Sequence, residues 1–498
     1  MSDAPCVSES SPTAGRGGAR RLRGSGFDLE SWVLVSAAVA GGGWLRFSHL
    51  GTNELEIDEA VTWKAASAPT LAEVVRIHEQ KNPGKLALHE AILHGWMAIF
   101  GQGEVSMRAL SALLGTIAIA LVFFAARELL LLANGSETEA NSRRNATRIA
   151  AFTAVISAAS LVLIRYSREA RMYALMLAMI LAQAGFFVRG LRRGGWANSA
   201  AVAAFTAFAI ASNFTASLAF IAEAAWLGWY AIARTVTGGA ARRRVWQAAA
   251  ALAAGVLILA PFASSVAQLS ARIHRGVLTW IPPPGLLDPL QAFESASGGW
   301  VFAALAVLAV WGVAAGWRTR RDAIVFALVW MWLPPLSLLA GSYLLFPMDV
   351  TRYVLPSFIP FFLLAAIGIS AIGGKRTQAA LVAALAVLMV ARVISYDRKP
   401  RDVQMREAVA FAAETTAVGE KFGVADFGGV PDTALYYLPP SRRADMVPVS
   451  PRGPAPQGPS AVRVIVIPTY QPPAQIAPLR SDYPRLLGTF RSVEVRSR

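Results

Sequence analysis

"SMRALSALLGTIAIALVFFAA", residues 106 to 126, carries one charge, Arg108, near its start and is otherwise apolar or small. Wound as an α-helix, such a run covers roughly 30 Å, the thickness of the hydrocarbon core of a bilayer. Its Ala and Leu residues are continuous rather than alternating, which excludes a barrel strand. Similar blocks recur on both sides, at about 30–47, 149–164, 172–188, 197–212, 216–233, 246–263, 300–317, 323–341, 354–372 and 378–395. Only helices or closed barrels satisfy the backbone in lipid. The expected fold is therefore an all-α polytopic membrane protein of about eleven transmembrane helices. Composition agrees: 55 % of the 498 residues are apolar and only 16 % charged, against roughly 25 % charged in soluble domains, and mean hydropathy is +0.45.

The net charge of +16 does not indicate a nucleic-acid partner. The arginines cluster in short loops on one side of the spans, such as Arg143, Arg144 and Arg148, or Arg242, Arg243 and Arg244. Cytoplasmic loops carry this excess, so the N-terminus is expected in the cytoplasm and the C-terminus outside, in a plasma or inner membrane. Residues 1–28 form a polar Ser/Gly/Arg-rich tail, expected to be disordered, and no signal-peptide cleavage site follows the first block. Cys6 is the single cysteine, so no disulfide framework exists.

Residues 29–396 form the transmembrane domain, with two long outer loops at 48–105 and 264–299. From residue 397 the spanning blocks stop. "MREAVAFAAE" (405–414) has helical spacing, while "KFGVADF" (421–427) and "AVRVIVIPTY" (461–470) read as strands. A small extracytoplasmic α/β domain is expected over 397–498. Within the first loop, Thr70 stands three residues before Glu73, a capping box, and Leu71, Val74, Val75 and Ile77 supply one apolar face. That segment suits an amphipathic helix lying on the bilayer.

Charge at the membrane edge is expensive and marks candidate functional residues. The first loop opens with Glu54, Glu56, Asp58 and Glu59; Lys81 and Lys85 follow the surface helix. "IRYSREARMYAL" (164–175) adds Arg168, Glu169, Arg171 and Tyr173, and "VTRYVLP" adds Arg352 and Tyr353. All fall on the outer side, where arginines need a reason other than topology. A phosphorylated lipid supplies one, with a carboxylate nearby as general base. Pairing among these charges, for example Glu169 with Arg168 or Arg171, is the plainer explanation of the same residues. His89, Glu90 and His94 give H-E-x-x-x-H, one residue longer than the zinc-helix motif, with the histidines on different faces. No metal and no other cofactor is expected.

The ordered set of an acidic pair after the first span, "NP" leading to "LHGWMAIFG", R-x-x-S-A-L-x-G from Arg108 to Gly115, "YSREARMYAL" and "RYVLPSFIP" resembles a known family. It is that of the GT-C membrane glycosyltransferases, specifically the protein O-mannosyltransferases (glycosyltransferase family 39) and the lipid A aminoarabinose transferases. The resemblance covers about residues 30 to 375. It implies transfer of a sugar from a polyprenyl-phosphate donor to an acceptor hydroxyl of a protein, lipid or glycan outside the membrane, with inversion. It implies Asp58 as base; of its neighbours, Glu59, about 100° away if the segment is helical, is expected to orient the site or bind acceptor, and Glu54 and Glu56 to be solvated loop charges. Lys81, Lys85, Arg168, Arg171 and Arg352, with Tyr173 and Tyr353, would hold the donor phosphate. The loop at 264–299, with Trp280 and Pro282 to Pro284, would be a semi-rigid lid. Two departures stand out: Gly84 replaces the second proline of the family's double proline, and no second-loop acidic pair for a metal is present. A lipid or solute transporter is the alternative; it predicts inverted repeats and midplane charges, which the sequence lacks.

Overall fold

The computed structural model describes residues 29–82, 85–132, 139–234, 236, 238–264, 267, 281–345, 347, 350–399, 402–451, 453 and 462–498. The tail 1–28, Pro83, Gly84, His274 and Trp280 lie outside the described residues.

The first helix, α1 (Leu29–Phe47), is followed by three shorter ones within the segment 48–105: α2 (Ile57–Ala66), α3 (Leu71–Lys81) and α4 (Leu88–Phe100). α3 starts where the sequence predicts, with the Thr70 hydroxyl accepting from the Glu73 N–H at 3.3 Å. Its apolar residues split: Val74 is buried, while Leu71 and Val75 are exposed. A protein-facing edge is thus completed by His78 rather than by one apolar stripe.

The helices that follow are α5 (Glu104–Leu132), α6 (Glu139–Ala158), α7 (Leu161–Ser167), α8 (Tyr173–Arg193), α9 (Trp196–Ser212), α10 (Ser217–Ala233) and α11 (Gly239–Leu257). Then come α12 (Asp288–Ser297), α13 (Gly299–Leu344), α14 (Phe358–Ala371) and α15 (Lys375–Asp397). Among the described residues six helices are long and apolar enough to cross a membrane; α6 and α7, bent by 65°, form a seventh candidate, and α9 and α14 are shorter apolar helices. The chain is multi-pass.

The blocks expected at 300–317 and 323–341 are one helical run of 46 residues with a single non-helical residue, Arg320 (φ −134°, ψ 30°). Unbroken, it would measure about 69 Å, more than twice the ~30 Å hydrocarbon core; Arg320 divides it into two membrane lengths. Its first half lies directly on α14. A Cβ on Gly312 would meet the Leu364 carbonyl oxygen at 2.1 Å, and one on Gly368 the Leu308 carbonyl oxygen at 2.0 Å. Only glycine allows this approach, the small-residue packing expected where lipid offers no hydrophobic drive.

The C-terminal part is α/β. Helix α16 (Met405–Thr415), α17 (Val430–Tyr437) and α18 (Pro473–Asp482) accompany five strands: β1 (Phe422–Ala425), β2 (Met446–Val449), β3 (Val464–Pro468), β4 (Arg485–Phe490) and β5 (Val493–Ser497). The sheet order is β2-β1-β3-β5-β4, with β1 parallel to β2 and β3, and β5 antiparallel to β3 and β4. β1 and β3 are buried at every position, as central strands covered on both faces must be.

Candidate active site

Asp58 is the second residue of α2 and stays half exposed, at 47 % of its side-chain surface. Two arginines approach its Oδ2: Arg171 Nη2 at 3.5 Å and Arg352 Nη1 at 3.9 Å. Arg171 also donates from Nη1 to the Asp58 carbonyl oxygen and to Thr62 Oγ1, both at 2.9 Å. One guanidinium thus holds both the backbone and the carboxylate of Asp58. Lys85 stands close enough to act on the same carboxylate. The Arg171 guanidinium, opposed by burial and helped by Arg352 and Lys85, keeps the Asp58 carboxyl below the usual carboxylate range. It is ionised at neutral pH.

Lys85 lines a small hollow with His78, Asn82, Glu90 and Arg171. Burial, then the neighbouring Arg171, lowers its ammonium to about 8. Tyr173 packs edge-on against Tyr166 at 5.2 Å, with the Arg171 guanidinium 6.0 Å from its ring centre. Tyr353 lies under Arg352, 5.8 Å from ring centre to guanidinium, and packs on the main apolar core. Asp58, Lys85, Arg171, Arg352, Tyr173 and Tyr353 therefore gather.

Lys81 and Arg168 are placed otherwise. Lys81 Nζ donates to Asp432 Oδ2 at 2.6 Å. Arg168 donates from Nη1 to Asp397 Oδ1 at 2.6 Å and from Nε and Nη2 to the Leu45 carbonyl oxygen at 2.9 and 2.6 Å. Both face carboxylates that sequence spacing could not pair with them, 351 and 229 residues away. The ion pair of Glu169 is with Arg165, at 3.2 Å, rather than with Arg168 or Arg171.

Glu59 is buried and fully engaged. Its Oε1 accepts from Arg108 Nε at 2.9 Å and from the Ala170 N–H at 2.7 Å. Its Oε2 accepts from Arg108 Nη2 at 2.6 Å and from the Glu56 N–H at 3.0 Å. Arg108 further donates to the carbonyl oxygens of Leu50, Asn53 and Glu54 at 2.7 to 2.8 Å. The first loop is thereby stapled to α5 beside Asp58. Glu54 is not a solvated charge. It is buried, and its carboxylate accepts from the Met405 and Arg406 N–H groups at 2.9 and 2.6 Å, at the start of α16. A carboxylate there satisfies orphan N–H groups and favours the helix dipole.

The R-x-x-S-A-L-x-G motif has a physical reading here. Arg108 fixes the first loop, Ser111 Oγ donates to the Arg171 carbonyl oxygen at 3.3 Å, and Gly115 leaves no room for a Cβ, which would meet Ser167 Oγ at 2.1 Å. Three residues on one face of α5 position Asp58 and Arg171 together. As to metals, no cluster of three or more His, Cys, Asp or Glu arranged for an ion occurs among the described residues. His78 Nδ1 instead faces Glu90 Oε2 at 3.3 Å, and His94 Nδ1 the Ala66 carbonyl oxygen at 2.9 Å.

No family model matches the chain, and no curated protein sequence matches it. Solved structures do. ArnT, the aminoarabinose transferase of Cupriavidus metallidurans, bound to undecaprenyl phosphate, aligns at a TM-score of 0.64 and 13 % identity, over 94 % of this chain and 98 % of that one. Its apo state gives 0.62 with the same identity and coverage. The oligosaccharyltransferase of Archaeoglobus fulgidus in complex with Zn and sulfate gives 0.55 at 12 % identity, over 93 % of this chain and 72 % of that one. At these identities the likeness is one of fold, and the chain is a multi-pass membrane protein with the fold of the GT-C glycosyltransferases.

Proposed function

We propose that this protein moves a hexose or pentose from a polyprenyl-phosphate donor to an acceptor hydroxyl at the outer face of the cell or inner membrane, with inversion. The N-terminus lies in the cytoplasm in this reading and the C-terminal α/β part outside. The observation that carries it is the half-exposed Asp58 carboxylate faced by Arg171 and Arg352 at 3.5 and 3.9 Å, with Lys85 beside them.

The roles follow from charge. Asp58 accepts the acceptor's hydroxyl proton as the hydroxyl oxygen bonds to the anomeric carbon. The bond from that carbon to the phosphate oxygen breaks, and its electron pair leaves with polyprenyl phosphate. That leaving group is a weak base, so it needs positive charge more than a proton. Lys85, Arg171 and Arg352 supply it, with Tyr173 and Tyr353 framing the two arginines. Before the donor binds, these cations hold the Asp58 carboxyl low, which makes it a poor base. A bound phosphate competes for the same cations and lifts Asp58 back toward an ordinary carboxylate. The base is thus strengthened only when the donor is in place. Glu59, buried and held by Arg108, is a positioning residue for Asp58.

The test is reconstitution of the full chain in proteoliposomes with undecaprenyl-phosphoryl sugars, following release of undecaprenyl phosphate. Asp58→Asn is expected to lower turnover about 10²- to 10⁴-fold, the usual worth of a general base. Equal turnover in both proteins overturns the role of Asp58. Transport of lipid without sugar transfer overturns the reaction.

A further inference from the structure

Asp58 divides two unlike surroundings. On one flank stand the three cations just described. The other flank opens into a cavity of about 410 Å³, walled by the first outer loop, α7, the end of α15 and the start of the C-terminal part. That volume falls in the range of small-molecule sites, about 300–1,000 Å³.

Seven carboxyl groups, against three arginines and one lysine, line this cavity, and the six besides Glu169 outnumber the four cations. The three arginines are already engaged. Arg108 holds Glu59, Arg168 holds Asp397 and the Leu45 carbonyl, and Arg165 bridges Glu169 at 3.2 Å and Glu56 at 3.8 Å. The lysine, Lys399, sits exposed at the end of α15. An entering phosphate would meet excess negative charge here, whereas the opposite flank would attract it.

The wall instead suits hydroxyls. Burial, with Glu56 adding like charge, pushes the Glu169 carboxyl up to about 8, so at neutral pH it offers an O–H donor as well as an acceptor. Tyr396, Thr433 and Asn53 add uncharged polar groups, and Tyr470, 43 % exposed, presents part of an aromatic ring to the opening. A peptide acceptor is favoured by a long groove or sheet edge with backbone partners; this cavity is compact and walled by side chains.

We infer that this cavity is the acceptor subsite and that its acceptor is an uncharged carbohydrate, admitted between the first outer loop and the C-terminal part with one hydroxyl directed at Asp58. The inference rests on the glycosyl-transfer reading. The C-terminal part then belongs to the acceptor site, through Asp402, Met405, Thr433 and Tyr470.

The experiment separates the two readings. Binding of undecaprenyl phosphate to the full chain in nanodiscs is measured first, by tryptophan fluorescence; no binding overturns the donor reading itself. Transfer is then measured from a panel of undecaprenyl-phosphoryl hexoses and pentoses to three probes. These are the neutral methyl glycosides of glucose, galactose and mannose, the 6-phosphates of the same sugars, and a Ser/Thr-rich peptide. Transfer to a neutral glycoside at least tenfold faster than to its 6-phosphate or to the peptide is the expected result. Equal or faster transfer to the phosphate or the peptide overturns the inference, as does no transfer to any glycoside while undecaprenyl phosphate still binds. Two variants add a second readout. Glu169→Lys is expected to raise the glycoside KM about tenfold with undecaprenyl phosphate affinity unchanged, and Glu169→Gln, which keeps a neutral hydrogen-bonding group, to restore most of it. An unchanged KM in Glu169→Lys also overturns the inference.

Discussion

Lys81 Nζ donates to Asp432 Oδ2 at 2.6 Å, tying the last turn of α3 to α17 across 351 residues of sequence. Asp432 is buried, so the pair docks the C-terminal part on the segment between α1 and α5. Four residues on, Lys85 faces the Asp58 site instead. The two lysines are therefore expected to separate cleanly. Lys85→Ala removes a charge-assisted contact worth about 1.5–3 kcal/mol and weakens undecaprenyl phosphate binding about 10- to 100-fold. Lys81→Ala leaves that affinity unchanged and speeds protease cleavage in the 397–405 segment. A binding titration and limited proteolysis on both variants check this; a large affinity loss in Lys81→Ala contradicts it.

Lys85 also sets a pH dependence. Burial, with Arg171 next to it, lowers its ammonium to about 8 in the free protein. Only the protonated form attracts phosphate, so affinity is full below about 8 and falls as pH rises through it. Bound phosphate favours the charged form, which moves the midpoint upward in the complex. The expected profile is a kcat/KM for donor that declines above about pH 8, while kcat holds to higher pH. Lys85→Arg, charged throughout this range, should flatten the decline. A profile unchanged by Lys85→Arg assigns the titration to another group.

Arg171 is expected to resist conservative replacement. Its fork reaches the Asp58 carbonyl oxygen, Thr62 Oγ1 and the Asp58 carboxylate at once, a geometry lysine cannot reproduce. Arg171→Lys should therefore lower kcat about 10²-fold, since misplacing a catalytic group by about 1 Å costs that much. Thr62→Val, which removes one of the three contacts, should cost less. Single-turnover rates with bound donor measure both, and a near-normal rate in Arg171→Lys argues against the positioning role.

Much of this was legible in the sequence, for definite reasons. Continuous apolar runs announce spans, and the acidic first loop and "YSREARMYAL" marked the residues that converge at Asp58. Lys81 and Arg168 misled because their carboxylate partners, Asp432 and Asp397, come from segments that only the fold brings near. Glu54 looked solvated because the helix it caps begins 351 residues later. In the C-terminal part the two buried strands were readable by their unbroken apolar runs, whereas "MVPV" (446–449) and the antiparallel pair 485–490 and 493–497 were not. Met446–Val449 is an apolar run of only four residues holding Pro448, Arg485–Phe490 has no period, and the alternation from Val493 to Arg496 is too short to announce a strand by itself.

Glu59 offers the sharpest division between a structural and a chemical role. With Arg108 it forms a buried pair that also binds the Ala170 and Glu56 N–H groups. Removing one partner of such a pair costs about 3–5 kcal/mol, because the other charge stays buried and uncompensated. Arg108→Met should therefore lower the melting temperature in nanodiscs and release the first loop, with turnover lost as a consequence. Glu59→Gln keeps the amide near Arg108 but loses the charge, so it should lower melting temperature and turnover together, with Arg108→Met/Glu59→Gln less unstable than Arg108→Met alone. If Glu59 acted on substrate instead, Glu59→Gln would abolish turnover at an unchanged melting temperature. Thermal unfolding and donor turnover measured on the same three preparations decide between them.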